Sequence, residues 1–207
     1  VDVGPYPYKV TDRIEGAPPP VSVGDDHPAR GLLAAWAGAT FANGLYRVHT
    51  RASAESLIPA LQAAFPAVVP GYTPFGFDWL GRQFLVAGDT LSSGPVVMLE
   101  PGTGEALEIP VSVSAFHMVE IVNEPDAALA AGYFSEWLTS NGRPIRHNEA
   151  VGYRVPLFLG GVDEVANLEI VNLDVYWSIA SQLIAGVRGL PPGARVGVQR
   201  PDDIHKR

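Results

Sequence analysis

The chain has 207 residues, 47% of them hydrophobic and 17% charged, which is enough apolar material for a core and excludes a disordered chain. With 22 acidic and 14 basic residues the net charge is −8, so the cationic surplus needed for sequence-independent nucleic-acid binding is missing. There is no cysteine, which excludes disulfides, thiolate metal sites and cysteine nucleophiles. No apolar run approaches the roughly 20 residues that span a bilayer and no leader pattern is visible, so the expected address is cytoplasmic, without membrane contact.

Residues 1–27 carry Pro5, Pro7, Pro18, Pro19 and Pro20 and read as an extended or partly mobile arm, because proline fixes φ and removes donors. Asp26 reads as a cap for a helix through Leu32, Leu33, Trp36 and Thr40. Gly44 breaks that pattern, and Leu45–Val48 read as extended. Ser53 is the expected cap of a second helix with Leu57, Ile58, Leu61 and Phe65 on its apolar face. Pro59 suits that helix only if its regular part begins near Leu57. The middle alternates with period two: Phe75, Phe77 and Trp79 predict a half-buried strand, Phe84 and Val86 a second, and 96–111 a hairpin turned at Pro101–Gly104.

Helical spacing returns after Ser112. Asn123-Glu124-Pro125-Asp126 is a start signal, Tyr133, Phe134, Trp137 and Leu138 share a face, and Asn141-Gly142 is a stop. Tyr153, Val155, Leu157 and Leu159 alternate as a strand, Gly160-Gly161 turns the chain, and Leu168 and Ile170 form another short strand. Asp174 is the expected cap of the last helix, which carries Tyr176, Ala180, Leu183, Ile184 and Val187. Strands clustered between helical regions predict an α+β fold, a mainly antiparallel sheet with helices packed against it. The expected core includes Trp36, Phe77, Phe84, Trp137, Leu157, Leu168 and Leu183.

Motifs for chemistry are absent: there is no phosphate-binding glycine loop, dinucleotide fingerprint, His-Glu-x-x-His or nucleophile elbow. No two of His27, His49, His117, His147 and His205 lie within four residues of each other, so no helix face presents a local metal pair. Asp78 with Arg82 reads either as a held carboxylate or as an exposed strand position with a surface ion pair. Gly160–Glu164 reads as a turn beside solvated acids, or as a loop that meets a partner. Trp177 lies off the main stripe of its helix and is expected at the surface.

Three blocks carry a resemblance. They are Phe41-Ala42-Asn43-Gly44-Leu45-Tyr46-Arg47-Val48-His49, Phe77-Asp78-Trp79-Leu80-Gly81-Arg82-Gln83-Phe84, and Gly152–Gly161 followed by Asn167-Leu168-Glu169 and Val175-Tyr176-Trp177. Together they resemble the bacterial immunity proteins of type VI secretion DNase effectors, which join a GAD-like N-terminal region to a characteristic C-terminal region. The resemblance implies an α+β fold similar to the wider SMI1/KNR4-like immunity class. The resemblance covers about residues 10–187 and implies a GAD-like region over 28–111 and an immunity-type region over 112–190 sharing its fold; the proline-rich arm over 1–27 and the polar tail over 191–207 are read from composition and are not part of the family pattern. It also implies a cytoplasmic antitoxin that binds and neutralises a cognate toxin, a nuclease, and it brings no catalytic residue; the acidic charge suits a basic toxin and argues against direct contact with nucleic acid, and no motif calls for a metal or cofactor.

The partner-binding candidates are Asp163, Glu164, Glu169, Asp174 and Trp177, an acidic patch with one aromatic anchor. Two other readings stay open: a regulatory or scaffold protein with a non-toxin client, and a hydrolase whose carboxylate and histidine are assembled by folding.

Overall fold

The computed structural model describes residues 8–20, 28–88 and 94–191. The Asp26 cap, residues 192–207 of the expected tail, and the arm outside 8–20 lie outside the described residues. Seven strands form one sheet in chain order: β1 (Val10–Arg13), β2 (Ala39–Phe41), β3 (Tyr46–Val48), β4 (Tyr72–Asp78), β5 (Gln83–Ala87), β6 (Val96–Glu100) and β7 (Glu105–Ile109). Every neighbouring pair is antiparallel. β8 (Glu149–Tyr153) and β9 (Leu168–Asn172) form a separate antiparallel hairpin. The expected α+β class and antiparallel sheet are what the chain adopts, although the last two strands stand apart from the main sheet.

The sheet is covered on both sides. One core contains Leu33, Trp36, Phe75, Phe84, Met98, Phe116 and Trp137; the other contains Leu57, Leu61, Phe77, Leu85, Leu99 and Trp177. β4 is therefore buried on both faces, not half-buried as its alternation suggested. Its register against β5 shifts between Pro74 and Gly76, a bulge that sends Phe75 to the first core and Phe77 to the second. In the segment expected as an arm, β1 pairs with β2.

Helix α1 (Pro28–Trp36) precedes β2, and α2 (Arg51–Ala64) lies between β3 and β4. The cap of α2 is Thr50, not Ser53: Thr50 accepts from the Ser53 backbone while Ser53 accepts from the Thr50 backbone. Pro59 sits inside this helix, on its exposed side. After β7, α3 (Val113–Ala115), a π-helical turn Phe116–Glu120 and α4 (Ile121–Asn123) follow directly on one another. The start signal at Asn123–Asp126 opens only the short α5 (Pro125–Leu129). Ala130 at φ 51° breaks the run before α6 (Ala131–Asn141), which Gly142 ends at φ 69°.

The strand expected over 153–159 stops at Tyr153. Pro156, which has no N–H for a ladder, leads into a 3-10 turn at Leu157–Leu159. Leu157 is consequently only half-buried, and so is Leu183, which sits at the edge of the buried face of α7 (Leu173–Val187). Trp36, Phe77, Phe84, Trp137 and Leu168 are buried as expected. The cap of α7 is Asn172, whose side chain accepts from the Val175 backbone at 3.1 Å; Asp174 lies in the first turn.

Candidate partner-binding face

The C-terminal face is built from the β8–β9 hairpin, the loop between its strands and the outer side of α7. Asn167 fixes the loop: its Oδ1 accepts from Val155 N at 3.1 Å, and its Nδ2 donates to Val155 O at 2.9 Å and Val162 O at 2.8 Å. Gly161 is required there because a Cβ would collide with the Val155 carbonyl. Gly160, at φ 88°, ends the preceding turn.

The five candidates fall in different settings. Asp163 is exposed, but it accepts a hydrogen bond from the Tyr153 hydroxyl at 2.6 Å and so ties the loop to β8. Glu164 is exposed at the entry to the 3-10 turn Val165–Asn167. Glu169 points outward from β9 and faces Arg154 at 3.5 Å, with both side chains about half exposed. Asp174 is exposed and accepts from Ser56 Oγ of α2 at 3.3 Å.

Trp177 is a correction. Expected at the surface, it is fully buried, stacks edge-on against Phe65, and donates from Nε1 to Gly81 O at 2.8 Å. It lies on the inward side of α7 with Tyr176, Ala180 and Ile184, which pack over the sheet and α2. Its indole N–H finds a carbonyl there, so burial leaves no donor unsatisfied.

The apolar surface that sequence reasoning missed is the other side of the same helix. Val175 is 55% exposed and Ile179 53% exposed. With Leu183 they form an i, i+4, i+8 row, so α7 is apolar on two sides. This row borders a groove of about 140 Å³, whose other wall is Val171, Glu169 and Arg154. The signal was present in the spacing, but the inward stripe claimed Leu183 and left Val175 and Ile179 without a role.

A second group of ionisable residues lies inside the fold. Asp78, which could be read as a carboxylate held by Arg82 or as an exposed strand position, is fully buried. Its Oδ2 pairs with Arg82 Nε at 2.5 Å, and its Oδ1 accepts from Leu80 N and Arg82 N, each at 3.0 Å. Arg82 also donates to Ala128 O at 3.2 Å and lies 3.9 Å from Glu100. Buried Arg47 donates to Gly44 O at 2.9 Å and Asp78 O at 2.5 Å and stacks over Phe77. Burial pulls Arg47 down to about 9, which leaves it charged at neutral pH. Burial also raises Asp78, and it raises Glu100 to about 7 despite Arg82.

Shifted carboxylates are a sign of chemistry when they converge in a pocket. Here they are occupied in holding a turn together, and neither lines the groove beside α7.

The buried histidines His117 and His49 are likewise structural. His117 donates from Nδ1 to Val113 O at 2.7 Å, which leaves Nε2 to accept from the Tyr46 hydroxyl at 2.8 Å. His49 lies between Ser53 Oγ at 2.9 Å and Gln83 Oε1 at 2.8 Å. Neither partner is a carboxylate, and burial pulls the ring down to about 3, which makes it a poor general base. Among the described residues no group of three or more His, Asp or Glu could hold a metal ion, and no helix is long and apolar enough to cross a membrane.

The fold and this face describe an α+β protein that presents a mixed apolar and acidic surface. Residues 132–184 match the family model described as T6SS immunity protein Tdi1, C-terminal. The matched segment runs through α6, β8, β9 and most of α7, so it contains the loop, the groove and all five candidates. It is the family to which the third sequence block pointed. Among solved structures, Atu4351 from Agrobacterium tumefaciens is similar in fold, with a TM-score of 0.52 and 15% identity over 81% of this chain and 85% of that one. No curated protein gives a significant match.

Proposed function

We propose that the chain is a cytoplasmic immunity protein that binds a cognate type VI secreted toxin, a nuclease with a basic surface, and neutralises it by direct contact without catalysing a reaction. The observation that carries this reading is the immunity-protein match over 132–184, on the segment that also exposes Val175, Ile179, Glu164, Glu169 and Asp174. A stoichiometric inhibitor needs a rigid scaffold and a complementary surface, and the residues with perturbed protonation are spent on the scaffold. In this reading residues 28–111 supply strands β2 to β7 of the sheet and α2, and 112–190 supply the contact face.

Opposite charge would accelerate encounter with a basic toxin, and salt would slow it. The test is to co-express the chain with the toxin encoded beside it and score survival, then mix the purified proteins and measure both complex formation and nuclease activity. Protection with a stable one-to-one complex supports the reading. Survival without a complex, or turnover of the toxin's substrate or product by the chain itself, would count against it.

A further inference from the structure

The outer edge of β7 is the part of the sheet that the fold leaves unused. β7 ends the sheet, and among the described residues no strand pairs with its outer side. A strand edge carries a row of N–H and C=O groups and is a template for another chain. Glu105, Ala106, Leu107 and Glu108 are all exposed, so the helices that close the rest of the sheet do not reach over this edge. Two depressions follow one side of it. Ala106 and Glu108 share the face of Leu99 and Val97, their partners on β6, and border a depression of about 290 Å³ with Val68 and Tyr72. Nearer the β6–β7 turn, Gly104 borders another of about 240 Å³, walled by Phe65, Phe158, Ile184 and Arg188.

We infer that this edge receives an extended segment of the toxin, which adds an eighth strand to the sheet, with Lys or Arg facing Glu105 and Glu108 and apolar side chains over the two depressions. The inference takes the identity of the partner from the proposed immunity role and adds a contact outside the face over 112–190. Main-chain hydrogen bonds hold such a strand, and pockets for its alternate side chains give it specificity. Side chains on one face of a strand repeat about every 7 Å, so a single segment reaches from Ala106 and Glu108 to Gly104.

Charge distinguishes the occupants here. β4 to β7, the 65–71 turn and the turns on either side of β7 contain Asp78, Glu100, Glu105 and Glu108 and no Lys or Arg. Asp78 and Glu100 face Arg82, whereas Glu105 and Glu108 pair with no cation among the described residues. Arg188, the cation lining the smaller depression, is held at the end of α2, where it donates to Ala63 O at 2.8 Å and Ala64 O at 2.7 Å. A second copy adds acids to acids. Antiparallel pairing of β7 with itself, centred between Ala106 and Leu107, sets Glu105 opposite Glu108 twice. Centred on Leu107, it still gathers four carboxylates in one two-stranded ribbon with no cation. Like charges across a strand pair are unfavourable and opposite charges favourable, so a basic segment suits this edge and a copy of the chain does not.

The test mixes the parent chain with the purified, catalytically disabled product of the adjacent toxin gene and follows amide exchange in the complex. Association rates are recorded at two salt concentrations for the parent, Glu105→Lys/Glu108→Lys and Glu15→Lys/Glu55→Lys. Glu15 and Glu55 are exposed acids elsewhere, so the last variant changes the net charge equally and is the control. Exchange over 105–109 should slow at least about 10-fold in the complex, as the outward amides of β7 gain partners. The β7 variant should associate at least about 10-fold more slowly than the parent at low salt, a gap that narrows as salt is added, while the control loses no more than about threefold.

A complex that leaves exchange over 105–109 unchanged would overturn the added strand while leaving the immunity role standing. Equal slowing in the two charge variants would overturn the assignment of basic side chains to Glu105 and Glu108. Failure of the parent to bind the toxin would remove the immunity role and the added strand together. A parent that is dimeric in solution, with exchange over 105–109 that quickens on dilution, would assign the edge to a second copy instead.

Discussion

Replacing Asp78 by alanine tests whether the buried ion pair is a structural keystone or a dispensable contact. The carboxylate satisfies the Leu80 and Arg82 backbone N–H groups through Oδ1 and the Arg82 guanidinium through Oδ2, all within a fully buried turn. Truncation strands two amide donors and leaves a buried cation facing only the Ala128 carbonyl and Glu100 at 3.9 Å. Removing one partner of a buried pair costs about 3–5 kcal/mol, because the remaining charge is left uncompensated. For a chain of this length that corresponds to a fall in Tm of roughly 6–20 °C.

The assay is urea unfolding followed by tryptophan fluorescence, which reports on buried Trp79 in the same turn. Asp78→Asn, which retains one acceptor oxygen, should lose less than Asp78→Ala. A loss below about 1 kcal/mol for Asp78→Ala would refute the reasoning, since that is what an exposed pair contributes.

Three further outcomes follow from the same structure. Gly76→Ala should destabilise by about 1–3 kcal/mol, because its Cβ would press on the Tyr46 hydroxyl, which His117 holds in place, and on the Arg47 carbonyl; a thermal melt matching the parent would contradict this. Asn167→Ala removes three hydrogen bonds to the loop and should speed amide exchange over residues 154–162 without changing protection in β4–β6.

Glu100 has a folded-state value of about 7 against an unfolded value of 4.5, so the folded chain holds its proton more tightly. The stability it contributes is present below about pH 4.5 and is lost as pH rises to about 7. His49 and His117, lowered to about 3 and about 4, act in the opposite sense: their stability is present above pH 6.5 and is lost as pH falls. Glu100→Gln should therefore gain stability relative to the parent as pH rises from 4.5 to 7. A difference that does not vary with pH in urea titrations would show that Glu100 is not shifted.

Periodicity made β4 to β7, α6 and α7 legible, although β4, β5 and β6 turn out buried on both faces and β7 is largely exposed. It failed where a local irregularity resets the phase. The extra residue at the β4 bulge splits Phe75 from Phe77, and Pro156 ends β8 before the alternation over 153–159 can be used. Burial of polar residues was invisible for a different reason. Asp78 and Arg82 read as surface because charged residues mostly are, and only the three-dimensional closure of the turn supplies their partners.

The candidate site was legible in part. The acids Glu164, Glu169 and Asp174 are exposed, but Trp177 is not, since two apolar sides on one helix leave the inward one ambiguous until the sheet is seen beneath it. The aromatics of the first two blocks, Phe41, Tyr46, Phe77, Trp79 and Phe84, are fully buried, so those motifs mark scaffold and not contact.

The order of strands in the main sheet has a consequence for biosynthesis. Because β1 to β7 pair in the sequence in which they leave the ribosome, the sheet can assemble strand by strand while the chain is still being made. One of its two faces, however, is closed by α7, whose Trp177 reaches back 96 residues to the carbonyl of Gly81. Until residue 187 has been synthesised and released, Phe77, Leu85, Val97 and Leu99 lack the cover of that helix. A nascent chain halted in the β8–β9 hairpin would therefore be a ready client for chaperones.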